Sequence, residues 1–314
     1  MTRVLDRLGV LAQGRNCIAT RGAMLHTDAM KSTNPADWSP ADNPYAIAVS
    51  QSQMWRDIVR LTVRRMRGEN DRETAWFSSQ QLDAHVLVMT LRQLLTAEEL
   101  EQAALTELGI DPAAGAALGA ARKRFEDALP GIKDMRDALM HFDEWSRGTG
   151  LGPQARRRKA GEALRDIARE YWRFGYDPSA GTVSFGPYTI AVTVAERAAA
   201  ELCHAIYMAA RKVDEKNTAE LRARTIEALS RAGIQCNTPD TILKVSPGTD
   251  LRIWLSLSLN PDSDEPQRRE LAGRIVNALT AAGLHLESTS LPEALDSAER
   301  LVQWEALIVE AVHN

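Results

Sequence analysis

The stretch PGIKDMRDALMHFDEWSR, Pro130 to Arg147, decides the fold class, because it reads as one amphipathic helix. Pro130 and Gly131 suit a helix entry, and Gly148 and Gly150 an exit. Ile132, Met135, Leu139 and Phe142 recur at spacings of three, four and three, an apolar stripe of helical period. At about 100° per residue from Ile132 the stripe centres near roughly 310°, while Asp137, His141 and Glu144 cluster between about 120° and 180°. The helix therefore has a core face and a separate polar face. Asp137 and His141 are four residues apart, close enough to hydrogen-bond along the helix. Arg136 lies between the faces, and its long side chain can swing to the polar one.

Working outward, helical signals surround this stretch. From Pro44 a helix reaches about Arg67, with Ile47, Met54, Ile58, Leu61 and Val63 on its apolar side. Arg56, Arg60, Arg64, Arg65 and Arg67 load the other side and the C-terminal end, where cations favour the helix dipole. A phosphate-facing patch is the functional alternative for that cluster. A long helix follows from about Thr74 to Glu107, with a break expected at Thr96, whose partner Glu99 sits at capping-box spacing. His85, among Leu82, Val86 and Met89, reads as a satisfied core or boundary histidine. Ala113 to Leu129 is an Ala-rich helix. Beyond Arg147, GTGLGP has no Lys-Ser/Thr after its glycines and no preceding strand, so it is a connector and not a nucleotide loop.

Gln154 to Phe174 reads as a helix that opens with Arg156, Arg157, Arg158 and Lys159. A basic run at a helix N-terminus opposes the dipole and calls for nearby carboxylates or an anionic partner, which makes these four the candidate RNA contacts. Thr182 to Phe185 and Tyr188 to Val192 switch to strand period, a small β-hairpin joined at Gly186-Pro187. Ala195 to Val213 closes the bundle as a helix, with Leu202, Ile206 and Met208 inward. Asp214 to Asn217 is a charged break. After it come a helix over 218–232 stopped by Gly233, a strand over 242–245, the alternating LRIWLSLSL strand over 251–259, a helix over 266–282, a strand over 284–288 and a final helix over 295–312. The expected fold is mainly α: a poorly ordered segment 1–43, a helical bundle 44–213 with a small β-hairpin insertion, and a small α+β domain 214–314 with helices on one face of a mostly antiparallel sheet. Met24 and Met30 would serve equally well as starts, which puts residues 1–30 outside the fold reading. A winged-helix reading of Arg268 to Ser288 is weak, because Glu265 and Glu270 offset Arg268, Arg269 and Arg274.

Composition narrows the function classes. The chain has 314 residues, 44% hydrophobic and 25% charged, the range of a globular protein of one large or two ordinary domains. Net charge is -4, so no global basic field points to nucleic acid. Cys17, Cys203 and Cys236 stand far apart, which argues against a disulfide framework and suits a reducing, cytoplasmic setting. No two of the histidines have ligand spacing, so no metal or other cofactor is expected and a metal-dependent hydrolase ranks last. No apolar run reaches membrane-span length, and Asp6, Arg7 and Arg15 interrupt any signal-peptide core.

The RDALMH segment, Arg136 to His141, resembles the motif of HEPN domains: an Arg, a polar residue after it, and a His four to six residues on, late in a helical bundle. The resemblance implies a metal-independent endoribonuclease of toxin or defence type, with Arg136 and His141 as the catalytic pair and two copies facing each other in a homodimer. It makes RNA the candidate substrate and a protein regulator a candidate partner. Asp137 is assigned beside them from its position, to orient His141 or the ribose hydroxyl. Asp143 and Glu144 would repel phosphate unless paired with Arg147 or with a partner's arginines, which favours the alternative: a non-catalytic helical module that binds RNA, nucleotide or a protein partner.

Overall fold

A computed structural model describes residues 39–68, 73–74, 77–235, 241–247, 252–259, 265–289 and 303–310. The expectations for residues 1–38 lie outside this range. The chain divides into two compact units, one spanning 44–210, the other 211–314 together with the segment before Pro44. The architecture is mainly α with small antiparallel sheets.

In the first unit, α1 (Pro44–Met66) buries Ala48, Ser52, Val59, Val63 and Met66. The apolar side is therefore rotated from the expected one: Met54 and Leu61 face solvent. Small residues at 48 and 52 allow close approach of a neighbour, and Ser52 Oγ lies 3.5 Å from Cys203 Sγ. Several of the arginines on α1 and just after it have carboxylate partners. Arg65 reaches the buried Asp83 at 3.1 Å, Arg67 reaches Glu196 at 3.0 Å, and Arg56 reaches Asp57 at 3.1 Å. A two-residue pair of strands, β1 (Glu73–Thr74) and β2 (Phe77–Ser78), precedes α2 (Ser79–Glu107). Ser78 Oγ caps α2 by accepting from Gln81 N at 3.1 Å. The expected break at Thr96 is absent, because Glu99 is not a capping residue. It pairs instead with Arg122 of α3 (Pro112–Ala128) at 2.8 Å. That arginine also reaches the buried Glu98 at 2.7 Å and Glu126 at 3.1 Å, and Lys133 reaches Glu126 at 2.8 Å. Burial raises the Glu98 carboxyl above its ordinary pKa despite Arg122.

The stretch expected as one helix from Pro130 to Arg147 is two: α4 (Ile132–Met140) and α5 (Phe142–Ser146), parted at His141. The helix expected over 154–174 is also two, α6 (Pro153–Lys159) and α7 (Leu164–Glu170), with Gly161 in the left-handed region between them. Its expected end is a strand, β3 (Phe174–Asp177), which joins β4 (Thr182–Phe185) and β5 (Tyr188–Ala191) in an antiparallel meander. The hairpin was legible from sequence and its third strand was not. His85 is a boundary histidine as expected, with Nδ1 2.8 Å from Gln81 O and its ring 4.1 Å from that of Phe174.

Helix α8 (Val192–Asn217) runs through the expected break at 214–217, where Asp214 is buried. On α8, Leu202 and Ile206 are buried as expected but Met208 is exposed. The interruption falls at Thr218, whose Oγ1 donates to Asp214 O at 2.7 Å. In the second unit, α9 (Ala219–Arg231) ends at Gly233 with φ 68°, and α10 (Glu265–Ala281) at Gly283 with φ 70°. A four-stranded antiparallel sheet runs in the order β6 (Thr241–Pro247), β7 (Ile253–Leu259), β9 (Gln303–Glu310), β8 (Leu284–Thr289). Residues 303–310 of the expected final helix are instead strand β9, inside the sheet between β7 and β8; the rest of that expected helix lies outside the described residues. Two neighbouring strands offer β9 ladder bonds on both edges. Ile253, Leu255 and Leu257 pack with Leu221, Leu229, Ile275 and Leu279 of the helices, while Trp254 faces away and is exposed.

Candidate active site on the broken helix

The site follows from how α4 is held at both ends. At its start Gly131 has φ 77°, a left-handed conformation that glycine adopts without strain. A Cβ there would lie 2.2 Å from the Tyr188 ring, so the backbone rests on that ring. One turn on, Asp134 accepts from Tyr188 Oη at 2.6 Å. Burial, with help from Asp134, raises the Tyr188 phenol above its ordinary pKa and keeps it the donor. The far end is set by the break. His141 has φ -118° and ψ 43°, outside the helical region. Its N donates to Asp137 O at 2.8 Å, and its O accepts from Trp145 N at 3.1 Å, so the backbone stays paired through the bend.

The bend has a packing cause. On a straight helix Trp145 would lie about 90° from the centre of the apolar stripe, at the edge of the core face. With the break, Trp145 is buried, its ring 5.6 Å from Tyr171 and 5.9 Å from Phe185. Phe142, expected in the core, is 69% exposed, because burying the larger indole governs the register of α5. Ile132 and Met135 are buried as expected, and Leu139 is half-buried. Asp143 and Glu144 occupy the first turn of α5, where negative charge favours the dipole. Arg147 reaches Asp143 at 3.6 Å, the internal pairing that sequence offered as one option.

Arg136 is half-buried, and its Nη1 donates to Asp137 Oδ1 at 2.8 Å. Its Nε is buried with no hydrogen-bond partner among the described residues. Asp137 therefore serves the guanidinium, and no hydrogen bond joins its carboxylate to the imidazole among those residues. His141 is exposed between Met140 and Phe142, which are both exposed as well. Arg136, Asp137 and His141 thus share one short helix and its C-terminal break, with Arg136 anchored and His141 open.

The four basic residues of α6 divide differently. The helix is short, so Arg156 to Lys159 form its last turn, where they favour the dipole instead of opposing it. Arg157 is bound by Glu162 and Glu170 and lies 6.0 Å over the Tyr171 ring. Both carboxylates hold its pKa above the ordinary arginine value. Arg158 Nη1 donates to Gly148 O at 2.9 Å and Gly150 O at 2.8 Å, tying down the glycine loop. Arg156 and Lys159 are exposed. Sequence reasoning missed Trp145 as the anchor of the site and Gln154 as its clasp, which donates to Trp145 O at 3.0 Å and accepts from Gly150 N at 2.8 Å.

Among the described residues no three His, Cys, Asp or Glu side chains gather as a metal site requires, and no helix is long and apolar enough to cross a membrane. Comparison with known proteins found no matching family model, no matching curated protein and no matching solved structure.

Proposed function

We propose that the protein is a HEPN-like, metal-independent endoribonuclease in which Arg136 and His141 act on the scissile phosphate and a second copy completes the site. The observation that carries this is the helix stop at His141, which leaves an open imidazole between two exposed large apolar side chains, Met140 and Phe142. Such an apolar surface around a titratable group suits burial by a second copy about a two-fold axis. The chemistry asks for three things. His141 takes the proton of a ribose 2′-OH, whose oxygen attacks phosphorus. Arg136, held by Asp137, stabilises the charge on the phosphorane. The P–O5′ bond breaks, and O5′ takes a proton from the imidazolium of the second copy. The products are a 2′,3′-cyclic phosphate and a 5′-OH.

The alternative, a non-catalytic helical module binding RNA, nucleotide or a protein regulator, draws on a different observation: Arg136, Arg157 and Arg158 all have internal partners. Product chemistry separates the two. Purified protein with mixed RNA in a chelator should leave 2′,3′-cyclic phosphate ends and should not cut a fully 2′-deoxy strand. Cutting of the deoxy strand, or loss of all cutting in the chelator, would sink the proposed chemistry.

A further inference from the structure

We propose that the solvent face of α7, with the turn that follows it, is a docking ridge for single-stranded RNA. Between Arg156 and Arg173 the chain carries seven cations against three carboxylates, in a protein whose net charge is -4. Two of those carboxylates, Glu162 and Glu170, are occupied by the single residue Arg157, and Asp166 lies 3.7 Å from Arg169. The cations left outward are Arg156, Lys159, Arg165 and Arg173, all exposed, and Arg169, exposed as well, has only Asp166 beside it. With Ile167 buried, Arg165 and Arg169 fall on the opposite side of α7, one turn apart and about 6 Å along the axis. Trp172 lies in the turn that follows, two residues past the end of α7 at Glu170.

Trp172 is the second element. Its neighbours Trp145, Tyr171 and Phe185 are buried in one aromatic cluster, whereas Trp172 is 68% exposed. Its backbone is pinned on both sides: Tyr171 N donates to Ile167 O at 3.3 Å, and Gly186 N donates to Arg173 O at 3.3 Å. The indole is therefore presented by a fixed frame. Arg165 and Arg169 at i and i+4 repel each other weakly, and Asp166 offsets part of that charge. Cations that track a backbone beside an exposed aromatic ring are the elements by which proteins hold single strands: phosphates meet the arginines and a base stacks on the ring. A lipid surface fits less well, because α7 is seven residues long and mostly charged.

The inference deepens the ribonuclease reading by naming where substrate is held, and it rests on that reading for its biological meaning. Its test uses full-length Arg136→Ala/His141→Ala protein, so that binding is read without cleavage. Anisotropy of a fluorescein-labelled, mixed-sequence single-stranded RNA should rise on binding at 50 mM salt. Trp172→Ala in that background should weaken binding by roughly 5- to 150-fold, the worth of one stacked base, while Trp172→Phe retains most of the affinity. Arg165→Gln/Arg169→Gln should reduce the slope of log K against log salt by about 1.4, for two phosphates lost. Heparin, a polyanion without bases, should compete with RNA but bind Trp172→Ala and its parent equally. RNA affinity unchanged in Trp172→Ala, equal losses for RNA and heparin in that variant, or no anisotropy change with the parent protein at 50 mM salt would each overturn the ridge. A failure of cleavage with this pattern intact would remove the ribonuclease reading alone.

Discussion

Gly131→Ala tests how the helix carrying Arg136 and His141 is aimed. Two costs combine at this position. An L side chain at φ 77° pays about 1–2 kcal/mol for the left-handed conformation. The new Cβ also falls 2.2 Å from Tyr188 Cγ and Cδ1, so ring or backbone must move. The ring cannot swing away freely, because its hydroxyl donates to Asp134 at 2.6 Å and a hydrogen bond to a charged group is worth about 1.5–3 kcal/mol. Forced repacking of this kind costs about 1–3 kcal/mol, so the total is about 2–5 kcal/mol. The assay is urea unfolding followed by tryptophan fluorescence and circular dichroism, with Gly119→Ala as control. Nothing lies within 4 Å of a Cβ at Gly119, inside α3, so that change should stabilise by about 0.5–1 kcal/mol. The double variant Gly131→Ala/Tyr188→Ala should be less destabilised than the sum of its singles by more than about 1 kcal/mol. Additivity within about 0.5 kcal/mol would refute the account of Tyr188 as the seat of α4.

Arg122→Met leaves the buried Glu98 without its cation and should destabilise by about 3–5 kcal/mol at pH 7 at most, since Arg122 is 25% exposed. The Glu98 pKa is raised in the fold, so the native chain binds more protons than the unfolded one and stability falls as pH rises through that folded value, above 4.5. The variant raises it further; its deficit should therefore shrink from pH 7 to pH 5 in thermal melts, and a deficit constant with pH would contradict this. Trp145→Ala should cost about 3–5 kcal/mol and Phe142→Ala less than about 0.5 kcal/mol, the reverse of a continuous helix with Phe142 in its core. Phe142→Ala should instead weaken self-association in sedimentation, and a monomeric wild type at tens of micromolar would remove the second-copy argument.

The sequence signals that held were local. Ile132 and Met135 declared the core face of α4 by spacing, LRIWLSLSL declared β7 by alternation, and Gly233 and Gly283 marked helix ends through the backbone they permit. The signals that failed needed a partner distant in sequence. Whether Phe142 or Trp145 enters the core depends on Tyr171 and Phe185, which no window around position 142 contains. The last segment is a strand because β7 and β8 leave a gap between them with unpaired backbone on both sides. The run Arg156 to Lys159 misled because the helix containing it ends at Lys159, which turns an opposed charge cluster into a favoured one. Around Arg136 the helical placement could be read, but the break at His141 could not.

The most direct measurement of the central claim is the single-turnover rate of RNA cleavage in a chelator by wild type, Arg136→Ala and His141→Ala, with each variant shown to melt like wild type. The account predicts losses of roughly a hundredfold to ten-thousandfold for His141→Ala, the range for removal of a positioned base or acid. It predicts similar damage for Arg136→Ala, with Arg136→Lys rescuing only part because an ammonium lacks the guanidinium fork. Unchanged rates in both alanine variants, or no cleavage of a broad RNA panel by well-folded wild type, would contradict it.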